Sequence, residues 1–188
     1  MQDNFKRVRY ACFFILLIFI LMIVYSFLHE LGHVLIGIIR GGKIAAFKIG
    51  IGAYVSIIGA NYNSISLPLS NAFGVILPYL INVLIIPLYK NSMNIFIKIF
   101  IFFFTIAVSA SLLPWIFIPF LYIKGKAPAG DDVTKFLDNS NISPWLLSSI
   151  ALLLMFLLLF LCFKIKKIHI SYISIIKELK KSENSHGN

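Results

Sequence analysis

Four apolar runs, at 10–39, 72–89, 95–123 and 145–165, decide what this chain can fold into. Each reaches or approaches the ~20 residues a helix needs to cross the hydrocarbon core of a bilayer. With 60% apolar side chains over 188 residues and a mean hydropathy of +0.93, a soluble domain of ordinary composition is excluded. A backbone immersed in lipid must satisfy its own hydrogen bonds, so the expected fold is an all-α polytopic membrane protein with about four transmembrane helices. Only Tyr89 to Asn94 separates the second run from the third, which predicts a tight antiparallel pair. Pro78, Pro87, Pro114 and Pro119 predict kinks within that pair. The fourth run is mostly Leu and Phe and reads as lipid-facing packing.

Residues 43–67, between the first two runs, follow a different rule. Phe47, Ile49, Ile51, Ala53, Val55 and Ile57 alternate with Lys48, Gly50, Gly52, Tyr54 and Ser56, a period of two that predicts a strand. Asn61 to Ser64 supplies a turn and Ile65-Ser66-Leu67 a short returning strand, giving a small β-hairpin over 43–67. Open sheet edges are unstable in lipid, so the hairpin is expected at the interface or along a wet cavity within the protein. Gly41-Gly42 ends the first helix, while Gly50 and Gly52 allow another extended chain to approach closely.

The net charge of +10 belongs to bases that mostly flank the apolar runs or lie near the C-terminus. This is the distribution of topology signals and lipid-headgroup contacts, and no basic patch with interleaved aromatics suggests nucleic acid. Eleven of the 17 bases fall on the side of the N-terminus, so the positive-inside rule places both termini in the cytoplasm and the chain in the cell membrane. Cys12 and Cys162 both lie in apolar runs, which implies neither a disulfide framework nor a cysteine metal site. The membrane body is expected to occupy 1–167. Residues 168–188 form a basic, polar tail with a short interfacial helix over Ile168–Leu179.

Inside the first apolar run stands His29-Glu30-Leu31-Gly32-His33, an H-E-x-x-H sequence. On a helix the two histidines are one turn apart on one face, so both imidazoles can reach one cation. Ionisable groups at mid-membrane cost about 2.5–3.5 kcal/mol each on insertion scales, and three within a turn require compensation, which a bound zinc ion supplies. Two imidazoles and a carboxylate leave zinc a position for water, with Glu30 as the base that takes its proton. Against this stands a pair of buried histidines with Glu30 as counter-ion, which explains neither the spacing nor the setting. Acids for a third ligand are few, and Asp131 and Asp132 follow the third run on the membrane side where the first run ends. Either is a candidate, and the alternative role for one of them is to cap a short helix starting there.

The set H-E-L-G-H in a membrane helix, a strand region, a P-x-x-x-N in the next helix and a late D-x-x-K resembles the site-2 protease family of intramembrane zinc metallopeptidases, over about residues 20–138. The resemblance implies one zinc per chain, held by His29 and His33, with Glu30 as the general base. The family's late acid-to-base spacing is matched by Asp132 and Lys135, which favours Asp132 over Asp131 as third ligand. This chain has Gly130-Asp131-Asp132-Val133 where the family has Asp-Gly. Its Pro78-Tyr79-Leu80-Ile81-Asn82 carries one residue more than the family's G-P-x-x-N. Asn82 is thus expected either to bond substrate or to tie helices together, with Gly50 and Gly52 beside an extended substrate. The function so implied is hydrolysis of a peptide bond in a membrane-associated protein or peptide. Two alternatives remain open from the residues: a non-catalytic membrane metal-binding or accessory protein, and a zinc hydrolase of a lipid or small molecule.

Overall fold

A computed structural model describes residues 2–170 together with 173 and 174, and side chains from Cys12 onward. Helix α1 (Gln2–Ile39) leads into an antiparallel hairpin of β1 (Lys43–Lys48) and β2 (Tyr54–Ile58). Helix α2 (Ser66–Leu88) follows, then α3 (Ile95–Ser111) and α4 (Leu113–Ile123), the short α5 (Asp132–Asp138), and α6 (Pro144–Phe160), which ends in a π-helical turn over Leu161–Ile165. Among the described residues, four stretches are long and apolar enough to cross a membrane: Cys12–Ile39, Ser66–Leu88, Ile95–Ile123 and Pro144–Ile165. The chain is an integral membrane protein of four spanning helices with a β-hairpin between the first two.

The third span is one run in two helices, broken at Leu112 just ahead of Pro114, whose ring lacks the N–H that continuous helix would need. Asn94 starts α3 by accepting a 2.8 Å hydrogen bond from the Phe96 N–H, which fixes the tight α2–α3 connection. Phe104, Val108, Leu158 and Cys162 are at most 1% exposed and form the centre of the bundle. Polar ties bind the helices where lipid offers no competition. Asn82 and Thr105 join α2 to α3 at 3.1 Å, Tyr79 donates to the Leu154 carbonyl on α6, and Ser148 donates to the Ile116 carbonyl on α4.

The hairpin departs from the expected one in three respects. Its turn lies at Ile49–Ala53, where Gly50 and Gly52 have φ of +92° and +65°, so the two glycines reverse the chain instead of lining a strand. The segment 61–65 is a connection, and Ser66 and Leu67 already belong to α2. Helix α2 therefore starts six residues before the apolar run at 72, because Ser66, Ser70 and Asn71 turn inward, away from lipid. The hairpin also descends along α1. Arg40 at the top donates through Nε to the Asn61 carbonyl at 2.8 Å, and the Gly50 N–H at the tip donates to Ser26 Oγ at 3.2 Å. Fourteen helical residues separate those anchors, about 21 Å. Residues 168–170 are helical, while most of the expected helix over Ile168–Leu179 lies outside the described residues.

Candidate metal centre

Antiparallel connections place the C-terminal ends of α1 and α4 on one side of the bundle, and α5, which follows α4, packs there against α2 and α4. Val133, Phe136 and Leu137 anchor α5 in the core, with Phe136 edge-on to Trp115 at 5.5 Å. Asp131 caps this helix, its Oδ1 accepting from the Val133 N–H at 2.8 Å. The next residue, Asp132, then faces α1. Its Oδ2 lies 3.2 Å from His29 Nε2 and 3.3 Å from His33 Nε2, and the two imidazole nitrogens are 3.2 Å apart. Among the described residues this is the one cluster of three or more His, Cys, Asp or Glu groups close enough to share a metal ion.

The triangle fits zinc. Ligand atoms about 2.0–2.1 Å from a tetrahedral ion are about 3.3–3.4 Å from one another. The donor chemistry agrees, because His33 Nδ1 is 2.7 Å from the Ser70 carbonyl and must donate to it, which leaves a lone pair on Nε2. Lone pairs on three atoms this close need positive charge between them, from protons or from a cation. With protons on the imidazoles, hydrogen bonds and charge from His29 and His33 outweigh burial and hold the Asp132 carboxyl below the usual carboxylate range. The Ser70 bond orients one imidazole from outside the ligand set, as second-layer partners of metal histidines do. His29 Nδ1 is buried and has no such partner among the described residues.

Glycine determines how closely these parts approach. A Cβ on Gly32 would collide with the Phe73 carbonyl of α2, so the residue between Glu30 and His33 is where α1 and α2 touch backbone to backbone. On the other side of that contact, a Cβ on Gly74 would stand 2.7 Å from His29 Cε1 and from His33 Nε2. Both imidazoles rest on the bare backbone of α2.

The centre opens into a cavity of about 490 Å³. Its walls include Glu30 and the imidazoles from α1, Ala53, Tyr54, Val55 and Ile57 from the hairpin, Ser70 and Asn71 from α2, and Asp131, Asp132 and Lys135. Glu30, 6% exposed, also borders a smaller cavity of about 330 Å³ behind the centre, with Tyr25, Ser26 and Ser111. The structure thus brings together His29, Glu30, His33 and Asp132. It does not bring Asn82, Gly50 or Gly52 to the main cavity. Asn82 is fully buried about three turns beyond Asn71 along α2 and is bonded to Thr105, a tie between helices. Asn71 occupies the wall instead, and Pro68-Leu69-Ser70-Asn71 carries the P-x-x-N spacing that Pro78 to Asn82 misses by one residue. That spacing was the available signal for Asn71. Nothing in the sequence singled out Gly74. No protein family, curated protein or solved structure matches the chain.

Proposed function

We propose that this protein is an integral-membrane zinc hydrolase. Within that class, the reading best supported is an intramembrane metalloendopeptidase of the site-2 protease type, acting on a membrane-anchored protein or peptide. The observation that carries it is the convergence of His29, His33 and Asp132 within 3.2–3.3 Å, beside a buried Glu30 and against a β-strand wall. His29, His33 and Asp132 would hold a zinc ion, which would supply a Lewis acid and lower the pKa of a bound water to about 7.

Glu30 takes the proton of the attacking water on its carboxylate and delivers it to the leaving amine, for which burial beside the imidazoles positions it. His33, fixed by the Ser70 carbonyl, and Asp132, presented by the Asp131 cap, hold the centre in one geometry. The hairpin wall offers backbone donors and acceptors to an extended substrate, which must leave its helix before a peptide bond can be attacked. The chain is placed in the cell membrane with both termini cytoplasmic, on the count of flanking bases.

Glu30→Gln tests the reading, since it keeps the shape and removes the proton acceptor. Purified in detergent, the variant is expected to retain one zinc per chain and wild-type thermal stability, and to lose cleavage of a membrane-anchored substrate by about 10²–10⁴-fold. Equal turnover in both proteins, or wild-type protein without zinc, refutes it.

A further inference from the structure

A second cavity, also of about 490 Å³, has the opposite chemistry to the metal centre. Ile65, the N-cap of α2, begins a helical face that continues through Pro68, Leu69, Ala72 and Ile76 and forms one wall. Leu147, Ile150, Ala151 and Leu154 form the facing wall from α6 with the same rhythm. The polar lining residues, Ser64, Ser140 and Asn141, all stand in the connections that enter α2 and α6, at the metal-centre end of the bundle. Below them the walls are aliphatic and aromatic, without the two to four polar partners that hold a buried water. Ile65, Leu69 and Ile150 are also exposed on the outside of the bundle, so the cavity opens toward lipid.

Depth decides what fits. Eleven helical steps separate Ile65 from Ile76, about 16 Å, which is half of a hydrocarbon core of about 30 Å. The cavity ends there, because one turn further on Tyr79 donates to the Leu154 carbonyl at 3.2 Å and ties α2 to α6. A spanning helix of a substrate or of a second copy has to continue through the other half of the bilayer, and this tie bars its way. A lipid chain belongs to one leaflet and stops at that depth, with its polar head at the rim. We infer that the cavity between α2 and α6 is a binding site for one acyl chain of a membrane lipid, drawn from the leaflet on the metal-centre side, with the lipid head at Ser64 and Asn141. The chain lies against Val75 and Trp115, whose other sides border the smaller cavity with Glu30 and Asp132. It also meets Phe136, one turn from Asp132 on α5, and so backs the metal centre without reaching it. Nothing in this site depends on zinc or on the peptidase reading.

Trp115 serves as the reporter. Trp145 is the other tryptophan of the chain, so Trp145→Phe leaves Trp115 as the sole emitter. The full chain is reconstituted in phosphatidylcholine vesicles in which a rising fraction of the lipid carries bromine, a contact quencher, midway along its acyl chains. Trp115 is only 7% exposed, yet its emission should fall about twofold or more in fully brominated vesicles, because a cleft encloses its ligand. The fall should be linear in the brominated fraction, as expected of a site that holds one chain at a time. Ala72→Leu and Ala151→Leu narrow the cavity from its two helices, and each should restore about half or more of the lost emission with helical content unchanged. Emission indifferent to brominated lipid overturns the site, and is the result expected if a helix of a partner or of a second copy fills it. A loss that is steep at low brominated fractions also overturns it, since that curve marks a residue touched by many lipids at an ordinary bilayer surface. Quenching that both leucine variants leave intact does the same. If neither variant folds, the shape of the parent curve decides alone.

Discussion

Gly74 meets the imidazoles with hydrogen alone, so the smallest possible enlargement there is informative. Gly74→Ala introduces a methyl group 2.7 Å from both rings. Its expected effect is a loss of zinc affinity of about 10–100-fold with helical content unchanged, measured by metal competition and circular dichroism. The two aspartates should separate cleanly. Asp132→Ala should abolish stoichiometric zinc, whereas Asp131→Ala should retain the ligand set and lose only the cap, about 0.5–2 kcal/mol of stability. A reversed order in metal analysis would move the ligand role to Asp131. Protons compete with the metal for the same three lone pairs, so zinc affinity should fall as pH falls, with a titration between pH 7.5 and 5.5 as the check. At this scale the site was legible wherever its residues are local in sequence. His29, Glu30 and His33 are set by helical spacing, whereas the residues left Asp131 and Asp132 both open and only the family resemblance favoured Asp132. Asn71 carried only the signal of its spacing to Pro68, and Gly74 was not legible, because its role depends on which face of α2 meets α1, and that is fixed by the Gly32 contact.

Elements were legible in kind and misread at their ends. The apolar runs gave four spans, but hydropathy located α2 too late, since a helix that lines a polar cavity begins with Ser66, Ser70 and Asn71 and resembles a loop. The alternation across 47–57 suggested one strand, yet it passes through a turn. Gly50 and Gly52 keep the period of two while reversing the chain, and periodicity alone cannot tell a glycine in a strand from a glycine at a bend. The strand that borders the cavity is consequently β2, and tests of substrate pairing belong there. Val55 and Ser56 direct their N–H groups to opposite edges, one toward β1 and one away from it. Proline at the outward position should impair cleavage with zinc content intact, while proline at the inward position should also destabilise the hairpin. Cleavage unaffected by either proline would rule out strand addition.

Across the whole molecule, the candidate metal centre lies at one end of the bundle, and bases flank the spans at both ends. The metal centre, hairpin and α5 share the end where α1 and α4 finish, and Lys90, Lys164, Lys166 and Lys167 lie at the opposite end, where Lys166 donates to the Pro87 carbonyl. If that opposite end is cytoplasmic, then in a Cys12→Ser, Cys162→Ser background Lys126→Cys should react with an impermeant thiol reagent on intact cells and Lys90→Cys only after permeabilisation. The opposite pattern would invert the protein. The depth of the hairpin adds something the sequence did not indicate. Its tip is bonded to Ser26, near the midpoint of the Cys12–Ile39 span, and Ile51 there is 82% exposed. With the span centred in a bilayer, a tip at that level meets acyl tails, so the length and order of those tails are expected to press on it and, through β2, on the shape of the cleft.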